Sequence, residues 1–218
     1  RTLREQGDSR FALQSIPLDD PETFALLGQG KTNCLGELHS IAAKTLLRST
    51  PPASLLDLAA LLRRRRRGDV AEGEATADLT AILPLALICY WAAWLKCHHP
   101  LAFLAAMLTR HVGNAKRFTI LLREAKRERI RLLPPDLTLS RFAFTPENGS
   151  IRTGLIVVRQ LGERAFEELD RERKAQPFDD LVDFCRRTDP KIFTSRLVSN
   201  LVKVGAMDRF DIPRSHHL

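Results

Sequence analysis

The chain has 218 residues, of which 44% are hydrophobic and 28% charged, and only four cysteines, which excludes collagen-like, generally disordered and disulfide-scaffold proteins. Its 34 lysines and arginines outnumber its 26 aspartates and glutamates, and the resulting net charge of +8 favours polyanionic partners such as nucleic acid or an acidic membrane surface. The length allows one mid-sized domain or two small ones, each with a buried core.

The cysteines and the first residues indicate a cytoplasmic protein. Cys34, Cys89, Cys97 and Cys185 form no Cys-x-x-Cys pair, which is typical of thiols in a reducing compartment. Residues 1–14 are polar and contain no apolar signal core, so we expect no secretory or transit segment there.

The first third of the chain predicts short helices. Asp20, Pro21 and Glu22 combine an N-cap, a first-turn proline and an early acid before residues 23–27, with Gly28 as the stop. The leucines between residues 46 and 62 suit two more helices, broken at Pro51-Pro52. Residues 69–78 are acidic, small and contain glycine, and they predict an exposed linker.

The middle of the chain is strongly apolar. Residues 81–95 form one apolar run, interrupted by Pro84, and residues 101–108 form a second. A membrane-spanning helix needs about 20 such residues, so we expect a pair of buried core helices rather than a membrane hairpin. A membrane-surface protein is kept as an alternative class. Asn114 then caps an amphipathic helix with one basic face.

The last third predicts a small hairpin and further helices. Leu132 to Asp136 should end the preceding helix, and Asn148-Gly149 is typical of a type I′ turn between residues 142–145 and 150–155. Further helices are expected over residues 156–160, 164–174, 179–187 and 193–204. The fold class is therefore mainly α.

Two glycine turns are candidate phosphate-binding sites of the helix-hairpin-helix type. Gly162 and Gly205 each follow a predicted helical segment, and amide groups at the start of the next helix can face a DNA phosphate. Arg159 and Arg164 flank the first turn, and Lys203 precedes the second. Glycine helix stops are common, and the acidic Glu163 and Asp208 weaken both sites.

The run Arg63–Arg67 has two equal interpretations. It could lie along a nucleic-acid backbone, which would make affinity sensitive to salt, or it could be a solvated basic linker. The basic face of the helix after Asn114 is best explained as a solvated surface.

No catalytic residue or metal ligand is predicted. Residues 28–32 lack the first glycine of a phosphate loop, and Cys97, His98 and His99, with Cys89 or His39, lack the spacing of a metal site. The Asp19-Asp20 and Asp179-Asp180 pairs directly precede helices, where capping explains them.

Several longer strings of residues resemble those of a known protein family. They include Ile16 to Pro21, Thr32, Leu38, Ser40, Leu46-Leu47-Arg48, Arg66, Tyr90, Trp94-Leu95-Lys96, His98, Pro100, Pro134-Pro135-Asp136, Gly154-Leu155, Gly162-Glu163, Pro177-Phe178, Asp183-Phe184-Cys185 and Gly205-Ala206. Over residues 16–210 the chain resembles the bacterial DNA polymerase III alpha subunit, a C-family DNA polymerase, from the end of its palm to its helix-hairpin-helix region.

The resemblance implies a helical fingers remnant followed by a small β-hairpin and a tandem helix-hairpin-helix domain. A long stretch of the family's fingers is missing after Gly68, and its Lys-Ser-His falls on Leu79, Thr80 and Ala81, so nucleotide-facing charge is lost. The implied divisions are 1–68 for the palm end and first fingers segment, 69–79 for the linker that replaces the deletion, 80–140 for the remaining fingers, and 141–212 for the hairpin and DNA-binding domain.

The expected function is non-sequence-specific binding to template-primer DNA in replication, without independent synthesis. The palm aspartates that hold two metal ions in the family have no counterpart in this sequence, so no catalytic residue and no cofactor are expected here, whereas the intact family enzyme uses magnesium. Expected partners are DNA and other replisome subunits, with no membrane. The DNA-binding residues are taken to be Arg66, Arg159, Gly162, Arg164, Lys203 and Gly205. The alternatives are a fragment of an intact DNA-directed DNA polymerase whose palm lies upstream, and a non-binding structural remnant.

Overall fold

The computed structural model describes residues 11–67 and 79–210, and of residues 66, 67, 79 and 80 it describes the backbone only. The chain divides into two compact units, Arg1–Phe103 and Leu104–Leu218. The functional boundaries predicted at residues 68, 79 and 140 stay predictions, and the linker over residues 69–78 lies outside the described residues.

Nine α-helices and three short strands make up the described part of the chain, so the mainly α class is confirmed. The helices of the first unit are α1 (Pro21–Gly28), α2 (Ile41–Ser49), α3 (Leu55–Arg67) and α4 (Leu79–His98). Helix α5 (Pro100–His111) contains the boundary, and α6 (Ala115–Arg127), α7 (Glu163–Ala175), α8 (Leu181–Arg187) and α9 (Ser195–Lys203) follow. The strands are β1 (Leu132–Leu133), β2 (Thr145–Glu147) and β3 (Ser150–Arg152).

Helix α1 begins as predicted, but a different glycine ends it. The Asp20 carboxylate accepts hydrogen bonds from the Thr23 amide at 2.8 Å and the Thr23 hydroxyl at 2.6 Å, which confirms the N-cap. Gly28 is the last helical residue, whereas Gly30 takes the left-handed conformation at φ +64°. The amides of Gly30 and Lys31 then donate to the Leu27 and Leu26 carbonyls, the pattern of a Schellman stop.

The arginine run is helical, which corrects the interpretation of a basic linker. Residues 63–67 are the last five of α3, where cations stabilise the negative end of the helix dipole. Arg65 also donates to the Glu37 backbone carbonyl and lies 3.3 Å from the Glu37 carboxylate. At least one of the five arginines therefore forms its contacts within the first unit.

Helix α4 forms the centre of the first unit and packs against α1 and α3. Its buried residues Ile82, Ala86, Cys89, Tyr90 and Ala93 belong to one hydrophobic core, as expected for a core helix. The stretch Ala81–His98 is also long and apolar enough to cross a membrane, with 33% of it buried in the structure. The membrane alternative therefore needs an experimental test.

Tyr90 ties the segment before α1 to α4. Its ring is fully buried, and its hydroxyl donates to the Pro17 carbonyl at 2.7 Å and accepts from the Asp20 amide at 3.1 Å. A buried hydroxyl needs such partners because an unpaired one loses its hydration without compensation. The two bonds fix where α1 starts relative to α4.

The small sheet of the second unit has the order β1-β3-β2. Strands β2 and β3 form the predicted antiparallel hairpin, and Asn148 and Gly149 at its tip have φ +46° and +74°, as a type I′ turn requires. Strand β1 pairs parallel to β3 and was missed, because the residues from Leu132 to Asp136 were predicted only as a helix end. Two residues are too few to show the period of a strand.

The last helices confirm most of the predicted pattern. Helices α7, α8 and α9 lie within two residues of their predicted bounds, and the Asp180 and Thr194 side chains cap α8 and α9. Residues 156–160 do not form the predicted helix: Leu155–Val157 is one 3₁₀ turn, and the chain then bends sharply. Buried side chains from all these segments form a second core, in which Phe184 contacts the Phe178 and Phe193 rings with centroids 5.2 and 5.3 Å apart.

Two glycines of the second unit make a matched pair for testing this packing. A Cβ on Gly154 would come within 2.6 Å of the Ala143 carbonyl oxygen, whereas a Cβ on Gly162 would meet nothing within 4 Å. We expect Gly154→Ala to destabilise the fold by about 2–3 kcal/mol and Gly162→Ala to change its stability by less than about 0.5 kcal/mol. Urea unfolding of both variants checks this, and equal midpoints would contradict it.

An ion pair in the hairpin predicts a pH effect on stability. Arg152 donates to both carboxylate oxygens of Glu147, at 2.9 and 2.6 Å, and these bonds lower the pKa of Glu147 below its ordinary 4.5. A lowered pKa stabilises the folded state above the ordinary value, and the contribution is lost as the pH falls through the lowered pKa.

We expect Glu147→Gln to lose up to about 1 kcal/mol at pH 7, since the pair is partly exposed. The difference in the free energy of unfolding between this variant and the wild type should shrink below about pH 4.5. Unfolding midpoints of both proteins between pH 7 and 3 measure it, and a gap that persists at pH 3 would contradict the assignment.

Candidate nucleic-acid interface

The first predicted turn is a tight bend in front of α7. The Leu161 amide donates to the Val158 carbonyl at 3.2 Å, and Gln160 has φ +71°, a conformation that glycine adopts far more readily. Val158 and Leu161 are buried, whereas Arg159 and Gln160 are exposed. The core therefore holds both ends of the bend while its two central side chains project outward.

Gly162 is the N-cap of α7, and it is exposed. No side chain caps this helix, and the first-turn residues Glu163 and Arg164 are exposed as well. The first amides of a helix have no intrahelical partner, and they carry the positive end of the helix dipole. The N-terminus of α7 is therefore open to an anionic oxygen, and the phosphate-binding role of Gly162 stays a prediction.

The second turn has a different geometry, because its amide groups are already used. Gly205 has φ +82° and donates to the Val202 carbonyl, and the Ala206 amide donates to Leu201. This is a Schellman stop, and Gly205, Ala206 and Met207 are buried. The expectation that the Gly205 and Ala206 amides cradle a phosphate is therefore wrong, whereas the exposed Lys203 still offers positive charge there.

A surface recess lies beside the first turn and was not predicted. It has a volume of about 310 Å³ and is lined by Arg159, Gln160, Arg196 and Asn200. The Asn200 side-chain amide donates to the Arg159 carbonyl at 2.9 Å and so attaches the bend to α9. Two arginines that are 37 positions apart in sequence thus face one recess.

The arginines of the second unit fall into two groups. Arg152, Arg173 and Arg187 are mostly buried and donate to backbone carbonyls and carboxylates of their own unit. In contrast, the side chains of Arg159, Arg164, Arg196 and Lys203 are exposed and make no hydrogen bond or ion pair within the described residues. The second group can bind an external anion without breaking the fold.

The structure thus places three predicted side chains, Arg159, Arg164 and Lys203, at the surface, and it brings Arg159 together with Arg196. The side chain of Arg66 lies outside the described residues, so its role stays a prediction. Sequence reasoning missed Arg196, Gln160 and Asn200 as site residues. The available signal was the spacing of Arg196 and Asn200, which are four apart and therefore share one face of α9.

Comparison with known protein families finds a match in each of two regions of the chain. The bacterial DNA polymerase III alpha subunit finger domain matches residues 1–78, and the helix-hairpin-helix motif matches residues 129–217. The chain is related to the bacterial DNA polymerase III alpha subunit. This confirms the resemblance found in the sequence.

Individual bacterial proteins with similar sequences indicate the same relationship. The DNA polymerase III alpha subunit of Bacillus subtilis is 42% identical over 118 residues, which cover 54% of this chain and 11% of that protein. The subunit of Pseudomonas fluorescens is 39% identical over 124 residues (56% and 11%), and that of Escherichia coli 34% over 126 residues (57% and 11%). The matched segment thus spans about a tenth of each polymerase III alpha subunit.

Proposed function

We propose that this chain binds the sugar-phosphate backbone of DNA without sequence preference, as part of the replication machinery. The observation that carries the proposal is the recess between Arg159 and Arg196, beside the uncapped N-terminus of α7. Guanidinium groups and helix N-termini both bind phosphate oxygens, and neither reads a base. The match of this region to the helix-hairpin-helix motif supports the proposal.

Phosphate contacts are expected to come mainly from the first turn. Arg159 and Arg196 would contact one phosphate, with Arg164 and the amide of Gly162 placed for the same strand and Lys203 adding charge from the end of α9. The side chains of Arg66 and of the basic face of α6 are secondary candidates. The partner is then a duplex such as template-primer DNA, in the bacterial cytoplasm, and contacts with other replisome subunits are proposed by analogy with the relatives alone.

Synthesis is not proposed for this chain by itself. Nucleotidyl transfer on two metal ions needs a set of carboxylate ligands. The Asp20 and Asp180 side chains are used as helix caps. No magnesium ion for nucleotidyl transfer is proposed for the chain alone. The same residues would serve equally well in a longer DNA-directed DNA polymerase that carries its palm upstream.

DNA binding can be tested with two double variants of equal charge. We expect Arg159→Ala with Arg196→Ala to weaken binding to a duplex at low salt roughly tenfold. The dependence of log affinity on log salt concentration should become shallower by about 1, because the phosphate that both arginines contact is no longer neutralised. Fluorescence anisotropy with labelled duplexes of two unrelated sequences measures both quantities.

The matched control is Arg171→Ala with Arg186→Ala. Both arginines are exposed and lie in the same unit, on α7 and α8, away from the first turn in sequence. The control should retain nearly full affinity. Equal loss in both double variants would show that only net charge matters, and no loss in either would reject the site.

Absence of synthesis is tested separately by primer extension. The chain, supplied with magnesium, deoxynucleotides and a primed template, should extend no primer above the background without protein. Extension that depends on the chain would overturn this part of the proposal and leave the binding site untouched. The structural-remnant alternative predicts no binding to single- or double-stranded DNA even at low salt. Recovery of the chain in the soluble fraction after high salt would count against the membrane-surface alternative.

A further inference from the structure

The start of α1 and the end of α4 meet in the first unit. The Asp20 carboxylate, which caps α1, lies 2.9 Å from the Nε2 atom of His98, next to the last turn of α4. Tyr90 binds the Asp20 amide from the same helix, and the Trp94 ring packs on the His98 ring with centroids 4.7 Å apart. Several independent contacts therefore fix this junction, and side chains carried on it have defined positions.

Three potential ligand atoms converge there. A carboxylate oxygen of Glu22, the thiol of Cys97 and a ring nitrogen of His98 all lie within 4.8 Å of one another. We propose that Glu22, Cys97 and His98 bind a thiophilic divalent metal ion such as Zn²⁺. This site is independent of the DNA-binding function proposed above, and the sequence analysis assigned no residue to a metal.

The donor set fits such an ion in type and in size. Zn²⁺ binds thiolate at about 2.3 Å and imidazole nitrogen or carboxylate oxygen at about 2.0–2.2 Å, so ligands of a tetrahedral site lie about 3.5 Å apart. Because the three atoms lie within 4.8 Å of one another, each pair needs to approach by at most about 1.3 Å. Glu22 is exposed and can rotate to make this adjustment, while Cys97 and His98 sit on one helix. The fourth position would be filled by water.

Asp20 supplies the interaction that commonly supports a metal-bound histidine. A ligating imidazole usually donates its other N–H to a carboxylate, which holds the ring in place and strengthens it as a ligand. The Asp20 carboxylate binds Nε2 of His98, so in the proposed site Nδ1 of His98 is the atom that binds the metal ion, and the His98 side chain is only 27% exposed.

The charges around Cys97 favour a cation over a free thiolate. Burial raises the pKa of the Cys97 thiol, and the negative charges of Asp20 and Glu22 raise it further. A thiol in such surroundings is a poor nucleophile, because its thiolate is disfavoured. A bound metal ion displaces the thiol proton to solvent water and compensates the carboxylate charges, and the negative C-terminal end of the α4 dipole also favours a cation.

Cobalt(II) is a suitable probe, since it takes the place of zinc and absorbs light. The full chain, reduced and metal-free, is titrated with Co²⁺, and we expect one ion per chain with visible bands of tetrahedral cobalt and a near-ultraviolet thiolate-to-cobalt band. Zn²⁺ should bleach these bands. Only a sulfur ligand gives the near-ultraviolet band, so His216 and His217 near the end of the chain cannot produce it.

Three variants make the assignment specific. Cys97→Ala should abolish the thiolate band, and Glu22→Gln should weaken Co²⁺ binding about tenfold or more. Cys185→Ala is the control, because burial raises the pKa of this thiol too, but within the described residues it belongs to no cluster of three potential metal ligands. Circular dichroism checks that each variant keeps its helices. A thiolate band that survives in Cys97→Ala, or that is absent from the wild type, would overturn the proposal.

Discussion

The second unit depends on one largely buried guanidinium group. Arg173 donates to the carbonyls of Leu137 and Ser140, at 2.8 Å each, and to the Asp170 carboxylate, while it lies over the Phe166 ring. The loop around residues 137–140 is thereby held against α7, and the Leu137 amide in turn donates to the Ala206 carbonyl after α9. Because the first turn directly precedes α7, the Arg173 guanidinium helps to fix the position of the candidate interface relative to the rest of the second unit.

Arg173 also explains why counting charges says little about binding. An arginine whose N–H donors already bind carbonyls and carboxylates of its own unit has few donors free to bind a phosphate. Breaking those bonds would leave buried acceptors without partners. Arg187 is used in the same way, with donors to Glu172, Gln176 and Pro177 carbonyls. The surplus of basic residues in this chain is thus partly structural. The part that we propose to contact DNA is the exposed set around the first turn and Lys203.

The two glycine turns look alike in sequence, but they differ in which backbone amide groups stay accessible to a ligand. Gly162 begins a helix, so the amides after it lack intrahelical acceptors, whereas Gly205 ends one, and its amide and the next one close the helix end. The same residue type therefore serves opposite ends of two helices. This asymmetry favours the first turn as the proposed interface, where Arg196 at the start of α9 lines the recess and the buried Gly205 does not.

Local features were determined by the sequence itself, because each depends on neighbours in the chain. The caps at Asp20, Asn114 and Asp180, the Asn148-Gly149 turn and the helices α7 to α9 could be predicted in this way, and ordered strings of residues revealed the polymerase III alpha relationship. Only the tertiary structure decided which of these residues share a surface. It paired Arg159 with Arg196, buried Gly205, and brought Glu22 to Cys97 and His98, across some 75 positions of sequence. Packing of the two cores sets these contacts, and no local pattern encodes a distance between segments that are remote in the chain.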